Sequence, residues 1–101
     1  MALLRAVSKG PVIAAHYFPS SMRFYSEGVF DGEGCQGKET VNHAVLVVGY
    51  DLDYQPPHFI IKNSWGEAWG EGGFYKILID LTNTRGTCLI ADSEFNIIPG
   101  F

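Results

Sequence analysis

His43-Ala44-Val45-Leu46-Val47-Val48-Gly49-Tyr50 is followed, after a polar connection from Asp51 to Pro57, by Phe59-Ile60-Ile61-Lys62-Asn63. The first run is short, continuous and rich in valine, which predicts a strand buried on both faces. The second reads as another strand, and two such runs joined by a short loop predict a hairpin or neighbouring antiparallel strands. His43 opens the first strand and Asn63 closes the second, so antiparallel pairing is expected to bring their side chains together. An imidazole titrates near neutrality, which makes His43 a candidate base, although a lone histidine at a strand end is more often structural. The amide oxygen of Asn63 would accept a hydrogen bond from one ring nitrogen, fix the tautomer and leave the other nitrogen to work on a nucleophile. Trp65, two residues further on, would keep water off that bond, where a low dielectric strengthens it. Read singly, Asn63 is a turn-initiating residue and Trp65 a core aromatic; the spacing makes the joint reading the better one.

Outward from this pair, Trp65 to Gly73 is a glycine-rich turn region, and Phe74 to Leu78 alternates as a third strand. Upstream, Leu3, Leu4 and Val7 share one face of a helix over Ala2 to Ser8, which Gly10-Pro11 ends. Pro11 to Ala15 reads as a strand. Pro19-Ser20-Ser21 predicts a turn before a single helical turn that ends near Tyr25. Glu27 to Glu39 reads as a glycine-rich, charged loop around Cys35, Asp80 to Thr87 as a surface loop, and Glu94 to Ile98 as a last short strand. Several short strands with glycine-rich turns and little helix predict a mostly β chain: a small antiparallel, barrel-like sheet with a short N-terminal helix. A length of 101 residues predicts one domain over 1–101. A domain of this size has modest stability, so any covalent staple matters.

Hydrophobic residues make up 47% and charged residues 18%, a globular rather than a disordered composition. The net charge of −4 argues against nucleic acid, whose binders carry basic patches. The longest apolar run, Ala44 to Val48, is far too short to cross a bilayer, so no membrane partner is expected. The N-terminal residues do not have the pattern of a signal peptide. Cys35 and Cys88 are the two cysteines, and His16, His43 and His58 are scattered, without the close ligand pairs of a zinc site. No metal and no cofactor is expected. A single disulfide is a better reading than a metal site, with two separate buried thiols as the alternative; a disulfide would imply an oxidising compartment.

The segment Val41-Asn42-His43-Ala44-Val45-Leu46-Val47-Val48-Gly49-Tyr50 resembles the histidine-bearing strand of papain and the cathepsins. Ile61-Lys62-Asn63-Ser64-Trp65-Gly66-Glu67-Ala68-Trp69-Gly70-Glu71-Gly72-Gly73-Phe74 resembles the asparagine motif of the same family almost position for position. Two motifs of this length, in order and with a short hairpin between them, are a highly specific signal. The likeness extends from Ala6-Val7 and Gly10-Pro11-Val12, through Phe24 to Phe30, to the closing stretch from Cys88 to Pro99.

The resemblance implies the second, histidine-bearing domain of an α+β papain-like thiol peptidase of cathepsin L-like type. His43 would be the general base and imidazolium partner, Asn63 would orient it and Trp65 would shield the pair. Trp69 would help line the primed side of the cleft, and the Asn42 backbone carbonyl would meet the substrate amide. Ala15, Val41 and Ser93 would fall near the S2 pocket, with Ala15 displaced by a connection one residue shorter than papain's. Cys35 and Cys88 match the two cysteines that pair in the family. Leu89 stands where the family usually has glycine, so the backbone there is expected to adjust, and Lys76 to Thr87 is longer and more polar than in many relatives.

The family's nucleophile lies in a first domain, in a motif where glutamine precedes Cys-Trp, and no such motif occurs here. The implied partners are therefore that cysteine-bearing N-terminal domain, peptide or protein substrates, and cystatin-like inhibitors or a propeptide. The chain alone is expected to be inactive and prone to self-association through the face the first domain would cover. The alternative is a stand-alone binding module or pseudo-enzyme of the same fold. Family and disulfide together imply a lysosomal, vacuolar or secreted location.

Overall fold

The structure, a computed structural model, describes residues 1–96. Helix α1 (Ala2–Val7) leads into β1 (Val12–His16), a 3-10 turn (Ser20–Phe24), β2 (Val29–Phe30), the long β3 (His43–Asp51), β4 (His58–Lys62), β5 (Phe74–Leu78) and a second 3-10 turn (Thr87–Leu89). The strands form one five-stranded sheet in the order β1-β3-β4-β5-β2. The predicted helix, the three main strands and the β3–β4 hairpin stand close to where the sequence puts them.

The sheet is open, not closed into a barrel. β1 and β2 are its two edges and do not pair with each other. The outer edge of β1 is engaged differently. The Asn96 side chain accepts from Ala15 N–H (2.7 Å) and donates to Ala15 O (2.9 Å), and Tyr17 N–H donates to Cys88 O (2.8 Å). A side-chain amide thus supplies the groups a further strand would have offered. The sheet is also not purely antiparallel, because β2, inside the stretch read as a loop, runs parallel to β5. Two residues of pairing leave no alternating pattern for a sequence to display. At the other end, Glu94 and Phe95 form a turn rather than a strand. Their geometry is helical, with Phe95 and Asn96 N–H both donating to Asp92 O; Ile97 and Ile98 lie outside the described residues.

β3 is buried on one face only. Val45 and Val47 are in the core, whereas Ala44 is exposed and Leu46 and Val48 are half-buried. The core face packs Val47, Phe59, Ile61, Tyr75 and Ile77, all fully buried, against Leu3 and Val7 of α1. The opposite face carries Leu46 paired with Ile13 across the β1–β3 ladder, and Ile13 is 79% exposed. The valine-rich run therefore reflects one core face and one apolar face that nothing in the described residues covers.

Between Val47 and Gly49 the β3–β4 register shifts by one residue. On the hairpin side Tyr50 pairs with Phe59; beyond the bulge Val47 pairs with Ile61 and Leu46 with Lys62. Side chains alternate with period two, so one extra residue changes which set shares a face. Past the bulge, odd-numbered residues of both strands lie together, and His43 and Asn63 are carried to the same side. Without it they would point to opposite faces. Gly49, a lone glycine inside a strand pattern, is the signal that marks the bulge.

Cys35 and Cys88 are joined in a disulfide that closes 53 residues. Beyond it, Cys88 and Leu89 both have positive φ (55° and 69°), the left-handed region that glycine enters most easily, at the position where the resemblance leads one to expect a glycine. A non-glycine residue costs about 1 kcal/mol there, and Leu89 is buried in return.

Glu71 ties the sheet's β5 side together. It accepts from Gly28 N–H (2.8 Å) and Tyr25 O–H (3.0 Å) and pairs with Lys76 (3.3 Å). Burial opposes its charge, but these partners outweigh it and hold the carboxyl below the ordinary glutamate range. The lowered folded value means that the contribution to stability is present above the unfolded glutamate pKa and is lost as pH falls through the folded one. Glu71→Gln is therefore expected to flatten the acid side of the stability curve, read as melting temperature against pH from 3 to 6. An unchanged acid slope would show that Glu71 is not a stabilising tie.

Candidate active site

His43 is the first residue of β3, half-buried at the end of the sheet. Its Nε2 lies 3.0 Å from Asn63 Oδ1. Ser64 N–H also points at that atom, at 2.8 Å, and a backbone N–H can only donate; the amide atom facing both groups is therefore the oxygen. An oxygen acceptor requires the proton on Nε2, which leaves Nδ1 as the basic nitrogen. Asn63 is 5% exposed, and its Nδ2 is buried without a hydrogen-bond partner among the described residues.

Asn63 is held by the loop that follows it. Its N–H donates to Gly73 O (3.0 Å), and Gly73 N–H donates to Trp69 O (2.8 Å). At Gly70, φ is +61° and a Cβ would sit 2.7 Å from Phe74 O, so a side chain there collides with backbone. The glycine-rich turn is thus a tight reversal that sets Trp65 beside His43 and Trp69 behind it. Trp65 lies 5.8 Å from the His43 ring, centroid to centroid, and is 45% exposed. Trp69 is anchored by Nε1–H donating to Met22 O (3.1 Å) and stacks among Trp65, Tyr25 and Tyr75.

A residue that sequence reasoning missed packs closer than either tryptophan. Phe18 stands 4.5 Å from the His43 ring and 5.1 Å from Trp65, and is almost fully buried. It is fixed by Asn42, whose side-chain amide accepts from Phe18 N–H (2.6 Å) and donates to Phe18 O (3.2 Å). The Asn42 backbone N–H in turn donates to His16 O (3.2 Å). Nothing in the irregular stretch after His16 marks Phe18, because its role comes from a contact across the sheet.

The substrate-side residues are less gathered. Ala15 is half-buried on β1, opposite Ala44. Val41 is half-buried just before β3, and Ser93 is exposed in the turn after the second 3-10 segment. A hollow of about 280 Å³ beside the site is lined by Ile13, Ala44, Leu46, Lys62, Asn63 and Ser64 among others, and by none of those three.

The papain family cysteine protease model matches residues 1–98. The chain belongs to this family. It is 46% identical over 91 residues to the KDEL-tailed cysteine endopeptidase CEP2 of Arabidopsis thaliana, covering 89% of this chain and 24% of that protein. To cathepsin K of Mus musculus it is 45% identical over 87 residues, covering 84% and 26%. Among solved structures it is similar to the bromelain protease from Ananas comosus in complex with the E64 inhibitor, with a TM-score of 0.76 and 37% identity over 88% of this chain and 40% of that one. The chain spans about a quarter of the length of the curated relatives it matches.

Proposed function

We propose that this papain-family chain supplies the base and its orienting residue to a thiol peptidase whose nucleophile comes from a cysteine-bearing N-terminal domain. The observation that carries the reading is the Nε2–H bond from His43 to Asn63 Oδ1 at 3.0 Å, which leaves Nδ1 as the reacting nitrogen. In the proposed reaction Nδ1 takes the proton from the partner's thiol, giving a thiolate and an imidazolium. The sulfur attacks the peptide carbonyl carbon, a C–S bond forms and the carbonyl electron pair moves to oxygen. When the pair returns, the C–N bond breaks and the leaving amine takes the proton from Nδ1. Water then gives a proton to Nδ1 and its oxygen attacks the thioester; collapse expels the sulfur, which ends as the thiolate beside the imidazolium. Asn63 keeps the ring orientation throughout, and Trp65 and Phe18 keep solvent from the Nε2 side.

The apolar face of β1 and β3, with Ile13 exposed and the hollow beside Asn63, supports docking of the cysteine-bearing domain there. Uncovered, that face would favour self-association. Peptides or proteins are the proposed substrates. A propeptide is a proposed partner because one similar structure is the digestive procathepsin L 3 of Tenebrio molitor larval midgut, and cystatin-like inhibitors are a further one. The disulfide and the relatives together support a lysosomal, vacuolar or secreted location.

A second reading, a non-catalytic module of the same fold, draws on one fact: both cysteines are consumed by the disulfide, so no thiol is free. The first reading and this one both predict that the 101-residue chain alone gives no E-64-sensitive turnover of a fluorogenic dipeptide amide. Turnover that E-64 abolishes would overturn the division of labour proposed here.

A further inference from the structure

His16 is the cross-strand partner of His43, at the end of β1, and is completely buried. A buried imidazole is costly unless both nitrogens are paired, and here both are. Nδ1 lies 2.7 Å from Tyr17 O, and Nε2 lies 2.6 Å from the Tyr75 hydroxyl. A carbonyl only accepts, so Nδ1 carries the proton. Nε2 then presents a lone pair, and the Tyr75 hydroxyl donates to it. Burial pushes the Tyr75 phenol well above its ordinary range, so this donor keeps its proton. The two hydrogen bonds together specify one tautomer of a neutral ring.

That ring stands edge-on to His43, 6.2 Å between centroids and 89° between planes. Phe18 touches both rings, 5.8 Å from His16 and 4.5 Å from His43. The groups that bear on His16 are the carbonyl of Tyr17, just past the end of β1, His43 on β3 and Tyr75 on β5. Among the described residues, no carboxylate is one of the groups that shift its titration.

We propose that His16, locked as the neutral Nδ1–H tautomer by Tyr17 and Tyr75, is a positioning residue for His43. It is an uncharged wall for the His43 ring, and its occupied lone pair keeps His16 itself from taking up a proton. The proposal rests on the reading of His43 as the base only for its catalytic meaning, since the coupling between the two rings is measurable without turnover. Protonating His16 requires Nε2–H to face the hydroxyl, which turns the Tyr75 O–H away from its buried acceptor. It also sets two cations about 6 Å apart, and like charges at that distance repel. Burial chiefly, opposed by the Tyr17 hydrogen bond and reinforced by the His43 charge, lowers the His16 pKa to about 4, in keeping with this arrangement.

The test is a pH titration of the ¹⁵N-histidine-labelled chain, following both rings by NMR. The expected result is a His16 with a protonated Nδ1 and a bare Nε2 that stays neutral through the whole His43 transition. Tyr75→Phe removes only the hydroxyl; by leaving Nε2 without a partner in either protonation state it is expected to move the His16 midpoint by about one unit and to add a second inflection, at that midpoint, to the His43 signal. His43→Ala is expected to raise the His16 midpoint by a similar amount through loss of the neighbouring charge. A His16 protonated on Nε2, or titrating together with His43, would overturn the proposal, as would a midpoint unmoved in both variants. If Tyr75→Phe does not fold, the tautomer in the unaltered chain and the His43→Ala shift decide the matter. A purely packing role for His16 would leave its midpoint insensitive to His43.

Discussion

His43→Ala, in an enzyme where this chain follows a cysteine-bearing domain, is expected to lower kcat by about 10³-fold or more while KM changes little. A positioned general acid–base contributes about 10²–10⁴-fold, and His43 is asked to act in succession as acceptor from the thiol and donor to the leaving amine. In the proposed reaction it also bears the positive charge that stabilises the thiolate. All of these are needed in the transition state rather than in substrate binding, which places the loss in kcat. Asn63→Ala removes one hydrogen bond to a ring that becomes charged, worth about 1.5–3 kcal/mol, or about 10–100-fold. The smaller loss follows because Phe18 at 4.5 Å still restricts the ring. Steady-state kinetics on a fluorogenic peptide separate these cases. Equal losses in the two variants would mean that the asparagine does more than orient.

Removal of the disulfide by Cys35→Ala with Cys88→Ala is expected to cost about 4 kcal/mol, the chain-entropy value for a 53-residue loop. Domains of this size have only about 5–15 kcal/mol in total, and the melting temperature should fall by about 15–30 °C. The effect reaches the candidate site through backbone. Cys88 O accepts from Tyr17 N–H, and Tyr17 O accepts from His16, the cross-strand neighbour of His43. Loosening Cys88 therefore loosens the end of β1 against which His43 is set. Thermal melts of the double variant beside the unaltered chain measure this, and superimposable curves would refute it.

The valine-rich run and the Phe59–Lys62 run were legible as strands because β-branched and aromatic residues between turn signals leave few alternatives. The meeting of His43 with Asn63 was legible in outline, since a hairpin brings strand start and strand end together. That outline was incomplete. Regular pairing from Tyr50–Phe59 would have put the two side chains on opposite faces, and the bulge near Gly49 corrects it. Burial on both faces of β3 was a natural error. Ala44, Leu46 and Val48 are apolar, and a sequence does not distinguish a face covered by its own chain from one that another domain would cover. The barrel-like sheet is in fact open: β1 and β2 are its two edges, and the Asn96 side chain occupies that of β1. Phe18, and the pairing of His16 with Tyr75 across 59 residues, had no local signal, because each depends on which strands the fold sets side by side.

The most direct measurement joins the 101-residue chain to the cysteine-bearing domain of a papain-family relative and follows hydrolysis of a fluorogenic dipeptide amide with and without E-64. The account predicts E-64-sensitive turnover that His43→Ala reduces by about 10³-fold and that is absent when the partner domain's cysteine is replaced. Turnover that survives His43→Ala undiminished in a folded protein would contradict it.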